Sequence, residues 1–428
     1  MTRLLYSLAW RLALPLVLAR LWWRGRREPG YLQHVGERFG WYADAAPLQD
    51  GKALVWIHAV SVGETRTAEP LVDALLQAYP DLTVLLTHMT PTGRATGQAL
   101  FATYAPRVLQ CYLPYDIGTM VDRFLTRFKP RLCVLMETEV WPNTVAQCVR
   151  HKIPVALVNA RLSERSLKKG QRMPALIGTA ARSLSCVAAQ TAADARRLGE
   201  LGARDVKVTG SIKFDVAPPP SAAIGGAALR RHFGARPVLL CASTRDGEEA
   251  LILDALAQVD MGDALLMVVP RHPQRFDDVA RLIEARGLRM ARRSTLNDAA
   301  PPANVQVLLG DSMGEMFSYF AACDVAFIGG SLLPLGGQNL IEACALGKPV
   351  LLGPHTFNFA LISDDAVQAG AALRVADALD MLRQAARLLH AGGERAERGA
   401  KALAFAEQHR GAARRTMNLL RPYLERKA

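Results

Sequence analysis

Metal-binding and disulfide-forming patterns are missing from this chain of 428 residues. Its nine histidines show neither HxxxH nor HxH spacing, and its seven cysteines include no CxxC pair. Scattered cysteines, odd in number and mostly in apolar runs, are typical of reduced core residues in a cytosolic compartment. We therefore expect neither a bound metal nor a disulfide framework from the cysteines, which are Cys111, Cys133, Cys148, Cys186, Cys241, Cys323 and Cys344.

Two nucleotide-binding fingerprints are also missing. The chain has no GxGxxG dinucleotide motif and no GxxxxGK[ST] phosphate loop, which disfavours a dehydrogenase or a simple nucleotide triphosphatase. No block of Lys and Arg is interleaved with aromatic residues, so nucleic acid is a weak candidate partner.

Acidic residues are scarce relative to basic ones. The 39 Asp and Glu are outnumbered by 52 Lys and Arg, which gives a formal charge of +13 and a pI of about 9.7. Most of the surplus is arginine, which recognises phosphate and carboxylate groups through paired hydrogen bonds. We expect a phosphorylated small molecule or an anionic membrane surface as a partner.

The segment Leu4–Trp23 is almost wholly apolar and is followed by several arginines. At about 1.5 Å per residue its length could cross a bilayer. Arg11 and Arg20 lie inside it, and a central arginine is costly in lipid. We expect a retained anchor over residues 1–28, either a short span or a helix in the interface, with a buried amphipathic helix as the alternative. The downstream arginines place the following domain on the cytoplasmic side.

Short apolar runs alternate with helical patterns from residue 53 onward. Hydrophobic residues make up 50% of the chain, enough for more than one large core. The alternation predicts α/β architecture with parallel, doubly wound sheets. The predicted strands are Ala53–Ile57, Leu82–Thr87, Val108–Leu113, Leu132–Met136, Pro154–Asn159, Cys186–Gln190, Val238–Ala242, Ala264–Pro270, Val305–Leu309, Val325–Ile328 and Pro349–Leu352.

Two Rossmann-like halves follow from this pattern. The run VAPPPSAAIGG over Val216–Gly226 is predicted to be an irregular hinge because of its prolines and glycines. An active site in a cleft between the halves is the default expectation for such an architecture. The predicted divisions are the anchor at 1–28, a first Rossmann-like domain at 29–215, the hinge at 216–226, a second at 227–405 and a C-terminal helix at 406–428.

The motif HAVSVGE, which ends at Glu64, directly follows the first predicted strand. A parallel sheet presents its reactive groups at the carboxyl ends of its strands, and a helix is predicted over residues 65–78. Glu64 therefore lies where such a domain does chemistry, and Gly63 would let a substrate approach the backbone. Because it faces the positive end of the helix dipole, Glu64 is expected to be ionised at neutral pH, as a general base must be. The alternative is a stabilising charge in a first helical turn and nothing more.

Two further segments of the first half carry charged groups. METEVWPN, residues 136–143, puts Glu137 and Glu139 at a strand end, where carboxylates are costly to bury unless they are paired or used. GSIKFD, residues 210–215, directs Lys213 toward the predicted cleft. The alternative for Lys213 is a solvated surface lysine.

Several loops of the second half suit an anion or a nucleotide. Arg271 ends a predicted strand and fits a phosphate oxygen. Ser312 fits the N-cap of a helix with Glu315 at its third position, and this capping box could be purely structural. The loop Gly329–Glu342 leaves room for a phosphate or a sugar, and Glu342 is placed to bind ribose hydroxyls. Together the loops predict a nucleotide site at the carboxyl edge of the second sheet.

Taken in order, these segments resemble the Kdo transferases of lipopolysaccharide synthesis, where Kdo is 3-deoxy-D-manno-octulosonic acid. The resemblance covers essentially the whole chain and rests on the basic anchor, GERFG, HAVSVGE, METEVWPN, GSIKFD, PRHP, the glycine loop and GPHTFNF. It implies a GT-B glycosyltransferase fold, CMP-Kdo as donor, no divalent metal in the transfer and no other cofactor. The acceptor it implies is the lipid A precursor (lipid IVA), a phosphorylated, acylated glucosamine disaccharide at the cytoplasmic face of the inner membrane.

The resemblance also implies roles for particular residues. Glu64 would be the general base that takes the proton from a primary hydroxyl of the acceptor, in a displacement that inverts the anomeric carbon and expels CMP. Glu137 would stabilise positive charge in the transition state, with Lys213 as its cationic partner. The CMP-binding residues would be Pro270, Arg271, Met313, Gly314, Glu315, Asn339, Leu340, Ile341 and Glu342. At three flanking positions this chain departs from many relatives, which carry His, Pro and Asn in place of Gln338, Leu340 and Ser211.

Two other interpretations fit the loops themselves. One is another GT-B enzyme that uses a UDP-sugar, or an epimerase that transfers nothing. The other is a nucleotide-binding membrane protein without catalysis. Preferential protection from heat by CMP over UDP would separate the first from a Kdo transferase, and full function in an E64Q variant would favour the second.

Overall fold

The computed structural model describes residues 2–42, 53–215, 218–296 and 299–425. The chain divides into two compact units, Met1–Asp215 together with Gly411–Ala428, and Val216–Arg410. Each unit is built on one seven-stranded sheet in which every strand pairing is parallel. The prediction of parallel α/β architecture is therefore confirmed.

The first unit has helices on both faces of its sheet. Its strands are β1 (Leu54–His58), β2 (Thr83–His88), β3 (Val108–Tyr112), β4 (Leu132–Met136), β5 (Val155–Ala160), β6 (Cys186–Ala189) and β7 (Val206–Val208). Their spatial order is β3-β2-β1-β4-β5-β6-β7. Its helices are α1 (Arg3–Arg27), α2 (Val62–Ala78), α3 (Pro91–Leu100), α4 (Gly118–Phe128), α5 (Pro142–Arg150), α6 (Glu164–Gln171), α7 (Thr179–Arg182), α8 (Ala192–Leu201) and α17 (Ala412–Leu424).

Strand β1 shows why the sheet is covered on both sides. All five of its residues are buried, with Val55 and Ile57 in the apolar cluster that contains α2 and α17 residues. Trp56 points to the opposite cluster, where its ring packs edge-on against Phe124 with centroids 4.6 Å apart. Alternate residues of a strand face opposite sides, so a continuous apolar run belongs to a strand with helices on both faces.

The second unit repeats the architecture. Its strands are β8 (Val238–Thr244), β9 (Leu265–Pro270), β10 (Met290–Arg292), β11 (Val307–Leu309), β12 (Val325–Ile328), β13 (Val350–Leu352) and β14 (Ala372–Arg374). Their spatial order is β10-β11-β9-β8-β12-β13-β14. Its helices are α9 (Pro220–Phe233), α10 (Glu248–Leu256), α11 (Phe276–Glu284), α12 (Met316–Ala322), α13 (Ile341–Ala345), α14 (Ala360–Gln368), α15 (Ala378–His390) and α16 (Gly392–His409).

The strand order reverses once in each sheet, between β1 and β4 in the first and between β8 and β12 in the second. The connections on the two sides of such a reversal leave in opposite directions. A crevice therefore opens at the carboxyl ends of the two strands, and ligands of open α/β sheets bind there. The loops after β1, β4, β8 and β12 are consequently the first places to look for a site.

The prediction that Val216–Gly226 is irregular is wrong from residue 220 onward, because α9 begins there; residues 216–217 lie outside the described part of the chain. A proline in the first helical turn loses no hydrogen bond, since its nitrogen would have no intrahelical partner. Gly226 permits close helix packing, because a Cβ atom on it would lie 2.3 Å from the Cβ of Ala321.

The helix predicted at 406–428 is divided in two, and residues 426–428 lie outside the described chain. Helix α16 ends at His409, Gly411 has φ of 81°, and α17 begins at Ala412. The carboxylate of Asp215 accepts hydrogen bonds from the backbone N–H groups of Gly411 and Ala413, each at 2.7 Å. This cap fixes the start of α17 on the first unit, at the end of the GSIKFD segment.

Candidate active site

Glu64 lies in the first turn of α2, just beyond the carboxyl end of β1. Its Oε2 atom accepts a hydrogen bond of 2.7 Å from the backbone N–H of Val60, so the carboxylate folds back over the strand-to-helix turn. The space beside Gly63 is open, since a Cβ built there would meet nothing nearer than Ser61 Oγ at 3.9 Å. A substrate could therefore reach the backbone next to this carboxylate.

The pKa of Glu64 is raised to about 7, chiefly by burial and also by the neighbouring carboxylates of Glu139 and Glu137. The Val60 N–H and the Lys213 ammonium oppose this shift but do not cancel it. The expectation that Glu64 is fully ionised at neutral pH is therefore wrong. Removal from water disfavours the charged carboxylate more than the helix end favours it. Glu64 is poised between its two protonation states near pH 7.

Glu137 follows β4 directly and is buried, with 3% of its side chain exposed. The Nζ atom of Lys213 lies 2.6 Å from its Oε1, and Arg161 Nε donates to its Oε2 at 2.8 Å. A buried carboxylate needs such compensation, because the loss of hydration costs several kcal/mol for an unpaired ion. Lys213 is thus a paired residue of the site, and the alternative of a merely solvated lysine does not describe it.

The backbone at Glu137 is unusual. Its φ is 51°, in the left-handed region that residues other than glycine rarely adopt. The peptide is held there by the N–H of Glu137, which donates to Val158 O at 3.0 Å. Positions of this kind persist where the surroundings over-determine them, and they concentrate at functional sites.

Asn159 holds the segment that carries Lys213. It lies at an irregularity in the pairing of β5 with β6, has φ of 51° and is fully buried. Its Oδ1 accepts from the Ile212 N–H at 3.0 Å and from Ser211 Oγ at 3.3 Å. We did not single out Asn159 from the sequence; a polar residue inside the otherwise apolar β5 pattern is the signal that could have drawn attention to it.

The first unit therefore brings Glu64, Glu137 and Lys213 together. The two carboxylates follow β1 and β4, the strands on either side of the reversal in strand order. Glu137 and Lys213 are close enough to act on the charge of Glu64 in opposite directions. The arrangement offers a proton acceptor beside a fixed ion pair, which suits removal of a hydroxyl proton next to a centre that develops positive charge.

A basic face lies on α6 and its C-cap residue, in the segment that follows β5. Four cations, spaced three, one and three residues apart along the chain, line a depression of about 430 Å³. None of the four forms an ion pair within the part of the chain that the structure describes. Like charges at this spacing destabilise a helix unless an anion offsets them. The four residues are Arg165, Lys168, Lys169 and Arg172.

The second unit concentrates positive charge at the ends of β8 and β9. Arg245, Arg271 and Arg275 all lower the pKa of His272, after the larger effect of desolvation. Arg275 pairs with carboxylates, including Glu249 at 3.1 Å, whereas the guanidinium groups of Arg245 and Arg271 form no ion pair with a carboxylate of the described residues. Two unneutralised guanidinium groups are thus available to an anion at this edge of the sheet.

The glycine loop after β12 is fastened by a residue that sequence reasoning missed. Glu248 is fully buried and accepts from the backbone N–H groups of Arg245, Gly330 and Leu332 at 2.6–2.9 Å. This carboxylate joins the loops on the two sides of the second strand-order reversal. No local motif distinguishes it from an ordinary first-turn glutamate.

Gly336 shows why the loop needs glycine. Its φ is 94°, and a Cβ there would lie 2.1 Å from Nδ2 of Asn358. The Asn358 N–H donates to Gly336 O at 3.0 Å, so the glycine loop and the GPHTFNF segment are locked together.

The predicted CMP-binding residues lie in different surroundings. Glu342 hydrogen-bonds Asn339 Nδ2 at 3.5 Å, and burial raises its pKa while Asn339 and Arg271 oppose the shift. Leu340 and Ile341 are fully buried, so their side chains belong to the core. Of the remaining residues, Pro270 ends buried β9, Met313 is exposed, and Gly314 has φ of 82° with open space around its Cα.

The capping box predicted at Ser312 does not form in the expected way. Helix α12 begins at Met316, so Glu315 itself occupies the N-cap position. Its carboxylate instead accepts hydrogen bonds from Ser312 and Tyr319 and pairs with Arg293 at 2.9 Å. The helix starts later than predicted because Gly314 takes a left-handed conformation.

A family model for 3-deoxy-D-manno-octulosonic-acid transferase (kdotransferase) matches residues 33–216. A 3-deoxy-D-manno-octulosonic acid transferase of Bordetella pertussis is 46% identical over 99% of this chain and 100% of its own length. The chain belongs to the Kdo transferase family. A second family member, from Haemophilus influenzae, is 38% identical over the full length of both chains.

Solved structures agree on the fold. A glycosyltransferase from Rickettsia africae has a TM-score of 0.58 and 12% identity, covering 88% of this chain and 100% of its own. At that identity the likeness concerns the fold, which is GT-B as expected. This Kdo transferase is accordingly a glycosyltransferase in which one Rossmann-like unit holds the acidic group around Glu64 and the other holds the basic loops around Arg271.

Proposed function

We propose that this Kdo transferase moves Kdo from CMP-Kdo to the lipid A precursor lipid IVA, with inversion, at the cytoplasmic face of the inner membrane. The observation that carries the proposal is the grouping of a half-ionised Glu64 with the buried Glu137–Lys213 pair at one end of the first sheet. In this assignment residues 29–215 form the acceptor domain and 227–405 the CMP-sugar-binding domain.

Glu64 acts as the general base of the reaction. Its carboxylate takes the proton from a primary hydroxyl of the acceptor as that oxygen bonds to the anomeric carbon of Kdo. The bond from this carbon to the phosphate oxygen breaks, and CMP leaves with the electron pair. Attack opposite the leaving group inverts the anomeric centre.

Glu137 and Lys213 stabilise the charges that develop during the displacement. The anomeric carbon gains positive character as the bond to phosphate lengthens, and the fixed carboxylate of Glu137 favours it. Lys213 keeps that carboxylate ionised and offsets the Kdo carboxylate or the leaving phosphate. A preorganised ion pair is effective here because it needs no reorientation during the reaction.

The basic loops of the second unit bind the nucleotide. Arg271 and Arg245 neutralise the phosphate of CMP, and Glu342 with Asn339 binds the ribose hydroxyls. Leu340 and Ile341, whose side chains are buried, contribute through the backbone. A single phosphate suits this set, which has two unpaired guanidinium groups rather than a metal cluster among the described residues.

The basic face of α6 supports a phosphorylated acceptor. Helix α6 follows β5 by a loop that begins with Arg161, the residue paired to Glu137. A phosphate of lipid IVA would offset the mutual repulsion of its four cations while the hydroxyl reaches Glu64. Replacing Lys168 and Lys169 by glutamine should therefore raise KM for the acceptor more than it lowers kcat.

The test is a transfer assay with purified full-length protein, lipid IVA and CMP-Kdo generated in situ, read by mass spectrometry. Wild-type protein should add one or more Kdo units, and E64Q should be slower by about 10²–10⁴-fold. E69Q, a matched change on the same helix, should keep the wild-type rate. Folded protein that binds CMP but adds no mass would refute the acceptor or donor, and an active E64Q would refute the base.

A further inference from the structure

Helix α1 is seated on the first unit along one face. Near its start, Ser7 Oγ donates to Asn143 Oδ1 at 3.1 Å, and the Tyr6 hydroxyl hydrogen-bonds the buried carboxylate of Asp116. The ring of Trp10 lies 6.0 Å from that of Tyr115, centroid to centroid. The N-terminal end of α1 therefore contacts the first unit, although it is the end farthest along the sequence from the rest of the chain.

The same face is covered near the other end. Leu21 and Gly25 are the buried residues of α1, and a Cβ on Gly25 would lie 2.4 Å from Leu32 Cγ. From Tyr6 to Gly25 the helix rises about 28 Å at 1.5 Å per residue. The contacts near the two ends of α1 are thus separated by a length close to the hydrocarbon thickness of a bilayer, about 30 Å.

The opposite face is apolar and exposed. At about 100° per residue, the exposed large side chains fall within an arc of about 120°, directly across the helix from the seated residues. Leu4, Leu12 and Leu16 are more than two-thirds exposed, at 81%, 71% and 74%. The full set is Leu4, Leu5, Leu8, Leu12, Leu16, Trp22 and Trp23. A stripe of this kind on the surface of a protein marks a contact with lipid or with another protein.

The charge of α1 indicates that lipid, and not another protein, contacts the apolar stripe. Helix α1 contains six arginines and no acidic residue. Arg11 and Arg20 lie on the two flanks of the apolar arc, at about −20° and 160° when Leu4 is set to 0°. Both are exposed, and arginines at such positions extend to phosphate groups while their stems stay beside the acyl chains. Apolar side chains with an arginine on each flank complement an anionic lipid surface.

We propose that α1 lies in the plane of an anionic membrane surface with its leucine stripe in the lipid and does not cross the bilayer. The proposal rests on the membrane location given above and specifies its geometry. A spanning α1 would carry the domain residues that cover it, including the Asp116 carboxylate, into hydrocarbon, or would lose those contacts. The length and composition of Arg3–Arg27 would permit a span, but the seated face opposes it.

The test uses the full-length chain with single cysteines introduced by L4C, L12C and W23C. All seven native cysteines are buried, so a maleimide dye labels the introduced thiol selectively in folded protein. Dye depth is measured by quenching with lipids brominated at different chain positions, in phosphatidylglycerol-containing vesicles. An in-plane helix puts all three dyes at one shallow depth. A dye at position 12 that lies roughly 15 Å deeper than the other two, as in a span, would overturn the proposal.

A second, independent test uses R11Q/R20Q, which should change membrane binding in opposite directions for the in-plane and the spanning helix. R11Q/R20Q should weaken binding to anionic vesicles about 25-fold, since each arginine near such a surface contributes about fivefold. For a spanning helix the same change removes two charges from hydrocarbon and should strengthen insertion. CMP binding and transfer in detergent, measured on the same samples, report on the proposed reaction separately.

Discussion

The rate of Kdo transfer should depend steeply on pH around neutrality. Glu64 has a pKa of about 7, chiefly because it is buried. A general base works only when deprotonated, so activity should rise as the pH increases through this value. Ionisation of Glu64 grows from about one-tenth at pH 6 to about nine-tenths at pH 8. The corresponding rise in kcat/KM is about tenfold, whereas an unperturbed glutamate would give a nearly flat profile over that interval.

Changing the neighbouring charge tests the cause of the shift. Glu139 raises the pKa of Glu64, so E139Q should move the acidic limb of the profile to lower pH while keeping an oxygen that can accept from Trp141 Nε1. E69Q, on the same helix but not among the groups that shift the pKa of Glu64, should leave the limb in place. The assay is kcat/KM with subsaturating acceptor between pH 5.5 and 8.5 at constant ionic strength.

Stability gives a second measurement of the same pKa. A carboxyl whose pKa is raised on folding stabilises the folded protein below its unfolded pKa, and this contribution disappears as the pH rises through about 7. The melting temperature of the wild type should therefore fall relative to E64Q between pH 5 and 8. The assigned pKa would be refuted if kcat/KM were flat from pH 6 to 8 and the melting temperatures of the wild type and E64Q changed equally with pH.

Four further substitutions have expected outcomes. Lys213→Met should lower kcat by about 10²-fold or more. Arg161→Met should lower kcat much less, because the Arg161 side chain is 58% exposed. Equal effects of the two substitutions in stopped-flow or steady-state assays would contradict the assigned role of Lys213. Arg271→Ala should weaken CMP binding by about tenfold in calorimetry with an unchanged melting temperature, and an unchanged affinity would remove Arg271 from the nucleotide site. Gly336→Ala should lower the free energy of unfolding by about 1–3 kcal/mol in urea titrations, since a Cβ there meets Asn358; full stability would mean that the loop rearranges.

The sequence predicted the interior strands well and missed three of the four edge strands. Every interior strand coincides with a predicted apolar run to within a few residues. The missed strands, β7, β10 and β14, have three residues each and lie at sheet edges. An edge strand has one neighbour and less apolar cover, so its residues need not form a continuous hydrophobic run. β7, for example, contains Lys207 between two valines and is largely exposed.

In the site, the sequence predicted which loops matter but not how their groups interact. The position of Glu64 follows from strand and helix periodicity, which are local. Its pKa depends on Glu137, Glu139 and Lys213, which lie up to about 150 positions away in the chain. Asn159 and Glu248 act through hydrogen bonds to distant backbone groups. The polar side chain of Asn159 within an apolar strand is a local signal, whereas nothing in the immediate neighbours of Glu248 distinguishes it.

The seated face of α1 means that the helix is also part of the wall beside the METEVWPN loop. Trp10 lies 6.4 Å from Trp141, centroid to centroid, and Trp141 in turn donates to Glu139, one of the carboxylates that set the pKa of Glu64. A soluble version made by deleting residues 1–28 would uncover Tyr115, Trp141 and the Asp116 carboxyl to water. Such a truncation would alter the enzyme's proton chemistry even toward a short, water-soluble acceptor, so solubility is better sought by replacing the leucine stripe than by removing the helix.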